Sequence, residues 1–252
     1  MTIKITIITV CYNSAVTITD TLNSVRKQSY PHIEHIIIDG GSSDDTVHLA
    51  RKYGRSGIVV LSEPDQGIYD AMNKGLRLAT GDVVGFLNAD DYYANDSILA
   101  EVARPFILEN VDAVFGDTEF FHSEQPEKSI RRYRSHRFTP QRIAWGWMPA
   151  HPTLFLRRSL FIQKGTFKTH YRIAGDFELV ARFFADNTLA YRYLSQVMVR
   201  MRMGGVSTGG LRNTLLLNQE VMRACRENGI ATNWFKILSK YPLKLLEFLR
   251  KV

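Results

Sequence analysis

Cysteine is scarce in this chain and long apolar runs are absent. The two cysteines, Cys11 and Cys225, lie far apart, and neither has a partner at metal-ligand spacing. That argues against a zinc centre and a disulfide framework, and points to a reducing compartment. No apolar run approaches the roughly 20 residues that a bilayer span requires. The first ten residues read as a strand, not as a secretory leader. The turn after that strand lacks Gly-x-Gly-x-x-Gly, and Gly-x-x-x-x-Gly-Lys-Ser/Thr occurs nowhere. Dinucleotide binding of the Rossmann kind and a P-loop are therefore disfavoured. No repeat, low-complexity tract or aromatic–basic nucleic-acid motif is present, so no nucleic acid partner is expected.

What remains is an ordinary globular composition. The 252 residues are 45% hydrophobic and 23% charged, enough for one large domain or one domain with an appendage. A net charge of +7 suggests an anionic partner such as a phosphorylated substrate or a lipid surface.

The first third alternates β-branched runs with helical periodicity. Strands are predicted at 3–10, 33–38, 58–61 and 83–87, and helices at 14–27, from about 46 to 53, and at 68–79. Such alternation with short connections implies a parallel sheet with helices on its faces. Right-handed crossovers bring all strand ends to one edge. Thr9–Asn13, Asp39, Glu63–Asp65 and Asn88–Asp91 then converge where open α/β sheets bind ligands.

The stretch Val83-Val-Gly-Phe-Leu-Asn-Ala-Asp-Asp91 is the centre of this pattern. An apolar run that stops in Asn88, Asp90 and Asp91 offers oxygen ligands to a hard divalent cation, Mg²⁺ or Mn²⁺. The same residues could equally form a polar turn before a helix capped by Asp96 or Ser97.

The second half is less regular. A helix is predicted at 97–109, strands at 111–115, 153–156 and 197–203, and a helix at 177–185. Residues 123–142, rich in arginine, read as a mobile loop holding one strand. Two helical stretches, about 213–227 and 234–250, finish the chain.

Four motifs in order, Thr9-Val-Cys-Tyr-Asn13, Asp39-Gly-Gly-Ser-Ser-Asp-Asp-Thr46, Glu63-Pro-Asp-Gln-Gly-Ile-Tyr-Asp-Ala-Met-Asn-Lys-Gly75 and Leu87-Asn-Ala-Asp-Asp91, resemble the family 2 glycosyltransferases of GT-A fold. With His151-Pro-Thr, Gly175-Asp176 and Gly204-Gly-Val-Ser207, the chain is similar to enzymes of bacterial surface-polysaccharide assembly, of the colanic-acid kind. The resemblance runs from about residue 3 to 207. It implies an α/β GT-A fold with a Rossmann-like, mostly parallel sheet. Residues 1–207 would form the catalytic domain, with 1–118 its nucleotide-sugar half and 119–207 its acceptor half. Residues 208–252 would be a helical extension.

The resemblance also implies inverting sugar transfer from a nucleoside diphosphate sugar to an acceptor hydroxyl. Thr9, Tyr12 and Asn13 would line the base and ribose pocket, and Asp39 would bond the base. Asp65 and Lys74 would border the nucleotide, with Asn88 and Asp91 beside it. Asp90 matches the second acid of the metal-binding Asp-x-Asp motif, with Asn88 in place of the first. Asp176 matches the catalytic base, with Gly175 where an acid usually precedes it. Trp147, His151 and Ser207 are candidate acceptor or sugar contacts. Two alternatives remain at this stage: a sugar-phosphate nucleotidyltransferase, and a non-catalytic nucleotide-sugar-binding homologue.

The tail from Trp234 has Leu238, Tyr241, Leu245, Phe248, Leu249 and Val252 at helical spacing, with Lys236, Lys240 and Lys244 on another face. A basic amphipathic helix of this kind can lie on an anionic membrane; a helix packed on the domain is the competing reading. A lipid-linked saccharide acceptor would suit the first, placing the protein on the cytoplasmic face of the membrane.

Overall fold

The computed structural model describes residues 2–204 and 210–241. Its first part follows the hydrophobic pattern closely: β1 (Ile5–Cys11), α1 (Ile18–Arg26), β2 (Ile33–Asp39), α2 (Thr46–Tyr53), β3 (Val59–Ser62), α3 (Ile68–Leu78) and β4 (Val83–Phe86). These strands pair in parallel in the order β3-β2-β1-β4. Every residue of β1 is buried, as expected of a strand covered on both faces. Ile8, Val10, Ile36 and Ile38 meet Tyr69, Met72 and Leu76 of α3 on one face. Ile37 meets Ile18, Leu22 and Ala50, from α1 and α2, on the other.

The helix foreseen from Ser14 starts at Ile18, because residues 14–17 form a turn in which the Ser14 carbonyl accepts from Thr17 and Ile18.

The chain continues as β5 (Tyr92–Tyr93), α4 (Ile98–Leu108), β6 (Ala113–His122), β7 (Gln125–Tyr133), β8 (Phe155–Arg157), α5 (Arg158–Lys164), α6 (Gly175–Phe184), β9 (Tyr191–Arg202), α7 (Gly210–Glu227) and α8 (Trp234–Leu238). β8 pairs antiparallel with β4 and with β6, and β9 runs parallel to β6, extending one sheet to nine strands among the described residues.

β5 and α5 have no counterpart in the sequence pattern, and other elements extend beyond their expected bounds. Residues 123–142 hold one strand, as expected: β7 forms an antiparallel hairpin with β6, and 3₁₀ turns follow it where a loop was expected. β6 runs on through Gly116 and Asp117, held on both edges by β7 and β9. β9 begins at Tyr191, where the rings of Tyr191 and Tyr193 pack around Phe115.

α7 contributes Val221, Met222, Ala224 and Cys225 to the same apolar cluster as α3 and α6. α8 docks through Ile237, which is fully buried. No helix among the described residues is long and apolar enough to cross a membrane.

Candidate active site

The C-terminal ends of β1, β2 and β4 carry the expected side chains on one edge. Asn13 takes a left-handed conformation (φ 48°), which asparagine tolerates better than most residues. Its side-chain oxygen accepts from the backbone N–H of Ser43 at 3.0 Å, and its own N–H donates to Ser42 Oγ at 2.7 Å. These bonds lock the β1 end to the turn after β2.

Tyr12 is 65% exposed, lying open at the edge. Gly40 lies between Tyr12 and Asp65. A Cβ there would come within 2.5 Å of Asp65 Oδ2 and 3.5 Å of the Tyr12 ring, so only glycine leaves this cradle open. Asp65 Oδ1 also accepts the Gly67 N–H at 2.8 Å.

Asp39 is buried, and its carboxylate is engaged by the protein's own donors. Oδ2 accepts from the N–H groups of Gly41 (3.1 Å) and Ser42 (2.9 Å) and from Ser62 Oγ (2.7 Å), while Oδ1 accepts the Ser42 hydroxyl. Burial works against its ionisation, but these bonds outweigh it and hold the carboxyl below its ordinary range. Lys74 is also committed. It reaches out of α3 to the Pro64 carbonyl (2.6 Å) and Glu63 (2.9 Å), bracing the loop that carries Asp65.

Thr9 requires a correction. It is fully buried beneath the edge and shares a 3.0 Å hydrogen bond with buried His35, so it lines no pocket. Trp147 is likewise buried, whereas Trp145 is the half-open ring, with Lys236 over its face at 5.7 Å. Ser207 lies outside the described residues.

At the end of β4, Asn88 donates to Asp91 Oδ2 at 3.1 Å, and Asp91 Oδ1 accepts the Arg202 N–H at 3.2 Å. Asp91 is buried; desolvation, then the neighbouring Asp90, push its carboxyl well up. Asp91 is thus a structural acid that ties the β4 end to β9. Burial also raises Asp90, against the pull of Arg202. No cluster of three or more histidine, cysteine or acidic side chains able to cage a metal occurs among the described residues.

Asp90, two residues after Asn88, would suit a different arrangement: one carboxylate sharing a hard cation with substrate phosphates. Mg²⁺ is commonly bound in that way.

Asp176 sits in the first turn of α6, its Oδ1 accepting the Phe177 N–H at 2.8 Å. Burial raises its carboxyl, and the neighbouring His151 opposes that rise. Burial in turn lowers His151, whose Nε2 is enclosed without a hydrogen-bond partner. The His151 ring stacks on Phe86 at 5.7 Å and meets Phe167 edge-on at 6.1 Å. Phe86 is the last residue of β4, four positions before Asp90. An aromatic floor of Phe86, His151 and Phe167 therefore joins the Asp90 end of the sheet to the Asp176 helix.

Gly175 has a steric reason. A Cβ there would lie 2.7 Å from the Tyr69 ring, and the Tyr69 hydroxyl accepts the Gly175 N–H (2.9 Å) while donating to the Ile173 carbonyl (2.7 Å). The glycine lets α3 clamp the start of α6. Tyr69 lies within the quoted motif, yet no periodicity announces this contact 106 residues away.

A nine-stranded sheet among the described residues thus gathers polar side chains at the ends of its parallel strands, the edge where α/β sheets bind ligands. The family model for glycosyl transferase family 2 matches residues 6–165, and the chain belongs to that family. Over 213 residues it is 32% identical to a PGL/p-HBAD biosynthesis glycosyltransferase of Mycobacterium bovis, covering 81% of this chain and 77% of that one. TuaG of Bacillus subtilis, assigned to teichuronic acid biosynthesis, is 38% identical over 108 residues, 42% of each chain.

Among solved structures, S. aureus TarS 1–349 in complex with UDP-GlcNAc superposes with a TM-score of 0.70 at 22% identity, covering 88% of this chain and 66% of that one. A Pyrobaculum calidifontis mannosyltransferase in complex with GDP-Man and Mn²⁺ gives a TM-score of 0.66 at 19% identity, covering 90% of this chain and 64% of that one. Another S. aureus TarS structure, of a longer chain, is matched over 39% of its length. The chain is a glycosyltransferase, and its fold is GT-A.

Proposed function

We propose that this glycosyltransferase inverts: it moves a sugar from a nucleoside diphosphate to the hydroxyl of a lipid-linked saccharide during surface polysaccharide assembly. The observation that supports the reading is the aromatic floor: His151, which interacts with the Asp176 charge, stacks on Phe86 at the end of β4, four residues before Asp90. In this reading Asp90 would serve the leaving group and Asp176 the acceptor.

The open cradle of Tyr12, Gly40 and Asp65 suits a nucleoside base and ribose, with Asn13 and Asp39 shaping it from behind. Asp90 and Asn88 would hold a divalent cation, which when bound supplies Lewis-acid stabilisation to the departing diphosphate. Asp176 would accept the proton of the attacking hydroxyl. Its raised carboxyl suits a base that must release that proton again. The relatives assigned to PGL/p-HBAD and teichuronic acid biosynthesis support a cell-surface product.

The acceptor's lipid would be met by the exposed Phe235, with Trp234 and Leu238 half open beside it and Lys236 near Trp145. The packing of α8 revises the expected stripe: Ile237 and Lys240 turn inward. The stripe residues Leu245, Phe248, Leu249 and Val252, and Lys244 on the basic face, lie outside the described residues.

A thermal-shift screen of UDP-, GDP- and dTDP-sugars with and without Mn²⁺ tests the donor assignment. One nucleotide should raise Tm, and more so with metal. No shift with any of them would contradict it.

A further inference from the structure

Three successive backbone N–H groups at 172–174 converge on one carboxylate, that of Glu220 on α7. Oε1 accepts from Arg172 at 2.8 Å, and Oε2 accepts from Ile173 at 2.9 Å and Ala174 at 2.8 Å. Glu220 is buried, on the helix face that also buries Val221, Ala224 and Cys225.

Consecutive N–H groups before a helix form a nest that attracts an anion. Here the chain fills its own nest. The next N–H, that of Gly175, goes to the Tyr69 hydroxyl. Every backbone donor from 172 to 175 is thus held by a side chain from another helix, and Asp176 is the following residue.

Burying a carboxylate is costly unless it is fully bonded, and charge-assisted bonds to N–H groups are stronger than neutral ones. So much chemistry aimed at a five-residue segment exceeds what joining two helices requires. α6 and α7 already meet through an ionic network in which Glu178 binds Arg182 and Lys168, and Lys168 binds Glu227. The family match ends at residue 165, so both the clamp and the segment it holds lie beyond it.

We propose that Glu220 is a positioning residue for sugar transfer: from α7 it fixes the 172–174 backbone, and so sets where the Asp176 carboxylate meets the acceptor hydroxyl. The proposal rests on Asp176 being the base. Glu220 acts on chemistry and acceptor placement and leaves the donor pocket, built on β1, β2 and β4, untouched. Among the described residues, His151 from the 151–153 turn, Tyr69 from α3 and Glu220 from α7 face Asp176. The Glu220 charge helps hold the Asp176 carboxyl up, so its removal lets that carboxyl ionise at lower pH.

The test compares Glu220→Gln, Glu220→Asp and Asp176→Asn with the parent enzyme. Gln keeps shape and one acceptor oxygen, so the protein should fold with a modest loss of Tm. Amide exchange at 172–174 should quicken at least tenfold. Transfer kcat should fall at least tenfold with donor KM unchanged. The acid limb of the kcat–pH profile should move to lower pH, and Asp, which keeps the charge, should restore that limb toward the parent position.

Glu220→Gln with parental exchange at 172–174 and parental kcat overturns the clamp. Faster exchange with kcat and limb unmoved leaves Glu220 a structural tie and overturns its role in transfer. Parental transfer by Asp176→Asn would instead overturn the base assignment, whatever Glu220 does.

Discussion

Asp90 and Asp91 are adjacent carboxylates with different fates. Asp91 is fixed by Asn88 and the Arg202 N–H, whereas Asp90, beside it, is raised by burial against the pull of a backbone hydrogen bond and the Arg202 charge. The account therefore expects Asp90→Asn to cut turnover about 100-fold or more, the scale of losing one transition-state charge partner, while thermal unfolding stays near the parent. Assays across a Mn²⁺ titration check this; full activity of the variant in EDTA would remove Asp90 from the metal role. Residue identity alone does not separate the two acids, since burial and the β9 backbone decide between them. Thr9 and Trp147 show the same limit. Each lies in a stretch that reads as site, yet the first serves His35 and the second the core. Glu220 left one faint trace, an acid on a helix face whose neighbours Leu217, Val221 and Ala224 are apolar.

Among the elements, the parallel strands were legible because each is a β-branched run that stops in polar residues. Within 123–142 a strand was expected, but its bounds and its pairing with β6 were not legible, because Gln125–Tyr133 buries no residue and offers no strong alternation. Its partner β6 holds it from outside its own sequence.

β2 also contains a pH-sensitive point. Burial, then Arg55, lower His35 to about 3 from an ordinary value near 6.5. The folded state therefore binds fewer protons than the unfolded state between those values, so stability rises with pH through that window. The contribution is complete above about 6.5 and is lost as pH falls toward 3. Urea unfolding at pH 7 and pH 4.5 should show this loss, and His35→Gln should shrink the difference between the two pH values. An unchanged difference would locate the acid sensitivity elsewhere.

For the whole molecule, α7 and α8 complete the apolar cluster shared with α3 and α6 and carry the most exposed aromatic ring among the described residues. Phe235 is 76% exposed on a helix held by Ile237. Phe235→Ser with Trp234→Ser leaves that anchor in place. The membrane reading predicts that the parent cosediments with anionic liposomes, that binding weakens as salt rises, and that the double variant binds at least several-fold less. Equal binding would assign these rings no membrane role.

The proposed transfer turns on one acid, Asp176, which would take the proton of the acceptor hydroxyl. Its most direct test is transfer of radiolabelled sugar from the nucleotide donor to a membrane lipid extract by Asp176→Asn, with donor binding followed in the same samples. Asn keeps the shape and the bond to the Phe177 N–H but cannot take a proton. The prediction is donor binding at the parent level with transfer reduced roughly 100-fold or more. Transfer at the parent rate would contradict it, leaving Asp176 a helix cap.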